Sequence, residues 1–134
     1  MTLPVTAFVA AVCAIILLIT AIDTVRHRMR GSVAFGDNGD PKLISASRSH
    51  GNLAEHAPIV ILLLAFLEMS RAHHIGLMAI GVIFLAGRVS HVIGLYTPSA
   101  PGKPPLPRSI GVIFTWITLA VLSGWTLAIL ALSN

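Results

Sequence analysis

The chain has 134 residues, of which 55% are hydrophobic and only 10% charged, with a mean hydropathy of +0.87. A water-soluble domain carries about a quarter charged residues, so this chain has too little polar surface for water, and its solvent is lipid. The formal net charge of +4 is not gathered into a basic patch on a soluble fold, which excludes nucleic acid as a partner; the single cysteine, Cys13, excludes an intramolecular disulfide and a Cys-based metal framework.

Residues 1–22 carry no charge and lead into Asp23 and the run RHRMR, Arg26 to Arg30. The segment lacks a basic start and is too long for a signal-peptide core, so it reads as an uncleaved membrane helix over about 3–23. Cys13 lies inside it and reads as a small hydrophobe. A connection over 23–46 follows and contains GDNGDPK. Its Asp37 and Asp40 lack the other ligands of a calcium loop, so an EF-hand is rejected. Ala57–Leu67 and Ile75–Gly87 are apolar but too short, because a bilayer core of about 30 Å needs about 20 helical residues. The first reaches spanning length only by starting near Arg48 and taking in Asn52 and Glu55, giving 47–68. The second does so by running on through Arg88 and His91 to Tyr96, giving 75–96. A re-entrant segment is the alternative for either.

EMSRAHH, residues 68–74, reads as a tight hairpin turn. TPSAPGKPPLP, residues 97–107, holds five of the eight prolines and predicts a stiff, extended connection. A last uncharged stretch predicts a span over 108–132. The repeated IGVIF at 80–84 and 110–114 has unrelated flanks and reflects apolar composition. The expectation is an all-α, single-domain, integral membrane four-helix bundle. Arg26, Arg28, Arg30, Lys42 and Lys103, with Arg48 and Arg108 at the edges, fall in or beside the first and third connections, against Arg71 alone in the second. The positive-inside rule makes that richer side cytoplasmic and puts both termini opposite.

Three stretches then bring polar residues to one depth on the cytoplasmic side. Arg48, Asn52 and Glu55 are spaced i, i+4, i+7 and share a helix face; Arg88 and His91 are spaced i, i+3 and share another; Arg108 and Ser109 open the last helix. Pro58 cannot bond the carbonyl of Ala54, which predicts a kink in the turn holding Glu55. Ionisable groups in hydrocarbon face a partner or a wet cavity. One reading is a structural ion pair of Glu55 with Arg48 or Arg88. A single pair does not require three arginines, a histidine, an asparagine and a serine, so the set reads as a ligand site. Arginines fit carboxylates, Glu55 an ammonium, and Asn52 an amide; Arg108 and Ser109 at a helix start would stabilise a thiolate or another anion. A small zwitterionic peptide with excess negative charge meets that inventory. His56 points about 100° away from Glu55 and stays outside the set. His73 and His74 read as solvated, His27 as part of the basic run, and Trp116 and Trp125 as packing or interface residues. Nothing fixes His50 and His91 as an opposed haem pair, and no metal site is expected.

RSHGNLAE at 48–55, GRVSH at 87–91 and RS at 108–109 resemble the MAPEG family, membrane-associated proteins in eicosanoid and glutathione metabolism, most closely its bacterial members. The resemblance implies a homotrimer in the bacterial inner membrane, with glutathione as co-substrate bound between subunits near the cytoplasmic face. It implies that Arg48, Asn52, Glu55, Arg88, His91 and Tyr96 hold glutathione and that Arg108 and Ser109 act at its sulfur. The partners expected are membrane lipid and a lipophilic electrophile, and the activity a microsomal-type glutathione transferase or peroxidase. Two departures stand out: several eukaryotic members carry a tyrosine at the position of Leu95, one residue before Tyr96, and the proline-rich connection is longer here. A non-catalytic lipid- or partner-binding member of the same fold is the second reading. A small proton-coupled transporter using Glu55 is the third; clustering in one leaflet and the lack of an inverted repeat weigh against it.

Overall fold

The computed structural model describes residues 2–100 and 102–132. Four helices run in sequence: α1 (Pro4–Gly31), α2 (Pro41–Met69), α3 (His74–Tyr96) and α4 (Leu106–Leu132). No strand occurs among the described residues, and every helix is long and apolar enough to cross a membrane. At 1.5 Å per residue α1 is about 42 Å long, well beyond the roughly 30 Å hydrocarbon core. The first connection is therefore residues 32–40 rather than 23–46. Charge marks where water begins, but the backbone of Asp23–Arg30 remains helical in water. The helix stops at Ser32, in a left-handed conformation (φ 52°), where the Val33 N–H donates to the Arg28 carbonyl at 3.0 Å. Arg28 and Arg30 in this last turn complement the negative end of the helix dipole. Asp40 then caps α2 by accepting the Lys42 N–H at 2.9 Å, and α2 remains helical through Pro58.

α1 packs on α2 and α3, and α4 packs on α3 and α2, while among the described residues the α1 and α4 backbones are not neighbours. Val9, Cys13, Leu53, Val60, Leu64, Leu77, Phe84 and Leu122 fill the shared interior. The outer faces carry large apolar side chains, such as Trp116 at 65% exposure on α4, as a lipid-facing surface requires. α3 and α4 meet along a seam of glycines. A Cβ at Gly94 would lie 2.2 Å from the Arg108 nitrogen, and one at Gly111 would lie 2.6 Å from the His91 Cβ and 2.7 Å from the Gly87 carbonyl. Small residues let backbones approach where lipid supplies no hydrophobic drive for helix association. The Ser90 hydroxyl closes the seam by donating to the Pro107 carbonyl at 2.8 Å.

The first turn of α1 has no local side-chain cap. Glu68, expected in a hairpin turn, lies in the last turn of α2, and its two carboxylate oxygens accept the Val5 and Thr6 N–H groups, each at 2.9 Å. A carboxylate on two free amides at the positive end of a helix satisfies the backbone and the dipole together. Glu68→Ala is expected to lose about 1–2 kcal/mol, the upper range for a helix cap, and to lower the unfolding midpoint in detergent. Glu68→Gln, which keeps an acceptor without the charge, should fall between the two.

Topology is read by cysteine labelling, because native Cys13 is buried. Gly39 and Gly102 have φ of +70° and +77° and tolerate no side chain well, so the exposed Phe35 and Lys103 are the better sites. In sealed vesicles Phe35→Cys and Lys103→Cys should react with an impermeant maleimide from one face, and Ser70→Cys only from the other. Reaction of all three from one face would rule out four crossings.

Candidate ligand cleft

All four helices contribute to a cleft of about 660 Å³ at the end of the bundle where α1 and α3 finish and α2 and α4 begin. Its walls include Arg28 from α1, Arg48, Asn52 and Glu55 from α2, His91 and Leu95 from α3, and Arg108 and Val112 from α4; the α1–α2 connection adds Gly36 and Asp37. Helical spacing explains the α2 wall, since Arg48, Asn52 and Glu55 lie along one face. The glycine seam explains the α3–α4 corner, because contact between Gly94 and the Arg108 backbone brings Arg108 beside His91. Arg48, Glu55 and Arg108 are exposed, whereas His91 is 5% exposed. Among the described residues none of these carboxylates and arginines is paired within 4.0 Å; the one such contact is His27 with Asp23. A Glu55–Arg48 or Glu55–Arg88 ion pair is thus absent, and the charges face the opening.

The structure sets the remaining expected residues elsewhere. Arg88 is 2% exposed and lies behind Asn52, outside the cleft wall. Its guanidinium donates to the Asn52 Oδ1, to the Thr115 hydroxyl and to the Gly111 carbonyl, the last at 3.0 Å, and lies 5.6 Å from the centre of the Phe84 ring. Tyr96 does not line the cleft; its hydroxyl donates to the Asp23 carboxylate on α1. Leu95 lines the cleft instead, since one residue of offset is about 100° of rotation. Ser109 lines a second cavity, of about 690 Å³, with Lys103, Pro104 and Ile113. Arg108 and Val112 line both cavities and form the partition between them.

Sequence reasoning missed Arg28 and Asp37. Arg28 donates to the carbonyls of Ala34 at 3.3 Å and Gly36 at 2.9 Å, holding the α1–α2 connection against the cleft. The available signal was the absence of any helix breaker between Asp23 and Gly31, which carries α1 far enough to place Arg28 there. His50 is engaged with the Thr20 hydroxyl at 3.2 Å. His56 bonds the Asn52 carbonyl at 2.7 Å and, with Arg88 and Thr115, lines a small cavity of about 70 Å³ behind the cleft.

Four helices of membrane-crossing length with a charged cleft at one end define a small polytopic membrane protein. The chain matches the MAPEG family over residues 6–128 and belongs to that family. It is 41% identical over 92 residues to the inner membrane protein YecN of Escherichia coli strain K12, a match covering 69% of this chain and 70% of that protein. The YecN of Escherichia coli O6:H1 strain CFT073 matches to the same extent. No solved structure matches the chain at a significant level.

Proposed function

We propose that this protein is a glutathione-dependent transferase or peroxidase of the inner membrane, working as a homotrimer on lipophilic electrophiles that arrive through the bilayer. The observation that carries the reading is the charge inventory of the cleft: Arg28, Arg48 and Arg108 against Asp37 and Glu55. Glutathione carries two carboxylates and one ammonium, so it offers the complementary excess. Arg48 takes a carboxylate, Glu55 the ammonium, and Asn52 and His91 the peptide groups. Arg108 stands at the sulfur, where its charge favours thiolate over thiol, and the thiolate is the attacking species. The second cavity shares Arg108 and Val112 with the cleft, and its apolar Val112 and Ile113 suit the electrophile; Ser109 lines the same cavity, and its hydroxyl is the group proposed to hydrogen-bond the centre being attacked. Family resemblance supports the trimer, and the relative's description as an inner membrane protein supports the location.

Glutathione affinity tests the cleft. Arg48→Ala and Glu55→Gln each remove one charge-assisted hydrogen bond, a loss of about 1.5–3 kcal/mol, so each should weaken binding by roughly tenfold or more. Unchanged affinity in both folded variants would remove the cleft as the glutathione site.

Arg108 separates binding from chemistry. Arg108→Ala should raise the thiol pKa of bound glutathione, followed by thiolate absorbance against pH, and slow conjugation of a generic electrophile. Its effect on affinity should be smaller than that of Arg48→Ala. Arg108→Lys keeps the charge without the fork and should be intermediate. A pKa and rate that ignore both substitutions would assign the thiolate to another group.

A further inference from the structure

Arg88 is a buried cation with only neutral acceptors. Its Nη1 donates to the Asn52 Oδ1; its Nη2 donates to the Gly111 carbonyl at 3.0 Å and to the Thr115 hydroxyl, which itself donates to the Gly111 carbonyl at 2.8 Å. The close approach of Gly87 and Gly111 puts the guanidinium within reach of α4. Asn52, half-buried, stands between this cluster and the cleft and borders both. A side-chain amide has one acceptor oxygen and one NH₂ donor group. With the oxygen turned inward to Arg88, the NH₂ is the end left for the cleft. The inverted amide would set NH₂ against a guanidinium N–H and leave a buried charged donor without its acceptor, which is strongly unfavourable.

We propose that Arg88 is a positioning residue that locks the Asn52 amide so that the cleft receives a hydrogen-bond donor at this point, which selects a carbonyl or carboxylate oxygen of the ligand. This rests on the cleft being a ligand site, as argued above, and assigns Arg88 no contact with the ligand. The positioning element is distributed: Thr115 and the Gly111 carbonyl hold the guanidinium, and the guanidinium holds the amide.

The test is a double-mutant cycle on glutathione affinity, measured by calorimetry in detergent. Arg88→Met and Asn52→Leu should each weaken glutathione about tenfold, and the double variant should be no weaker than the worse single one, because both remove the same hydrogen bond to the ligand. Losses that multiply to about a hundredfold would show that Arg88 meets the ligand itself and overturn the proposal, as would unchanged affinity in Arg88→Met. Asn52→Asp keeps the partnership with Arg88 but presents an acceptor, so it should bind less well than Asn52→Leu. Should Arg88→Met fail to fold, Thr115→Val carries the same test from outside the cleft. It should weaken glutathione severalfold in the wild-type background and not at all beside Asn52→Leu; an equal loss in both would overturn the proposal.

A ligand-free readout keeps the inference separate from the glutathione reading. In protein ¹⁵N-labelled at asparagine, the Asn52 side-chain amide should give a fixed pair of resonances, assigned by their loss in Asn52→Leu. The pair should shift and average in Arg88→Met, or in Thr115→Val. Wild-type protein that ignores glutathione, with this shift still seen in the variants, would sink the proposed function and leave the positioning role standing; a pair unmoved in the variants would sink the positioning role.

Discussion

A guanidinium withdrawn from water must keep its hydrogen bonds, because a buried charge without partners is several kcal/mol unfavourable. Arg88 meets that demand at its two terminal nitrogens, which tie α3 to Asn52 on α2 and to Gly111 and Thr115 on α4, while its buried Nε has no partner among the described residues. Three helices are thereby held at one height and one rotation. The glycine seam makes the arrangement possible: with any side chain at Gly87 or Gly111, α4 would stand too far away for its carbonyl to be reached. The walls of the cleft follow, since Asn52 precedes Glu55 by one turn, His91 follows Arg88 by one turn, and Arg108 precedes Gly111 by one turn. A charge in the interior thus acts as a register pin for the helices around it.

The two ends of the bundle are organised by different chemistry. At the cleft end, cross-helix polar contacts accumulate: Thr20 with His50, Tyr96 with Asp23, Ser45 with the Leu95 carbonyl at 2.8 Å, and Ser90 with the Pro107 carbonyl. At the other end, Leu64, Leu67 and Leu77 pack in the interior, and Glu68 and His73 cap helix starts. Apolar packing tolerates small slips between helices, whereas hydrogen bonds do not. The directional contacts therefore sit where side chains must converge on a point.

Much of the architecture was legible in the sequence, because apolar runs of bilayer length and their charged flanks carry the physics of insertion. The number of helices and the polar ends of the middle two follow from that alone. The ends of α1 and α2 were not legible in the same way: Arg26 and Asp40 mark the approach of water, but a helix stops where Gly31 and Ser32 permit a left-handed turn or Asp40 can cap. Arg48, Arg88 and Arg108 look alike in sequence, yet Arg88 faces inward while the other two are exposed. That difference depends on Gly111 and Thr115, which are 23 and 27 residues away from Arg88, and no local pattern carries it. Tyr96 is a similar case, because its partner Asp23 belongs to a helix 73 residues earlier. Glu68 read as a turn residue for want of any local sign that α1 lacked a cap of its own.

The α1–α2 connection gives the cleft an asymmetry of construction. Four helices line the cleft, and α3 and α4 are packed to backbone contact, where an added methyl group would collide with a neighbour. The remaining wall is a strap, residues 32–40, to which the Arg28 side chain bonds at the Ala34 and Gly36 carbonyls, and a carbonyl acceptor is supplied by whatever residue stands there. Within the strap Asp40 caps α2, Asp37 accepts the Gly39 N–H at 3.0 Å, and Ser32, Gly36, Asn38 and Gly39 hold positive φ, which leaves Ala34 and Phe35 as its least constrained side chains. A substitution at Ala34 or Phe35 therefore leaves both the helix cap at Asp40 and the packing of the lipid-facing bundle in place. The fold separates a hydrocarbon-constrained chassis from a short aqueous connection held to it through backbone carbonyls.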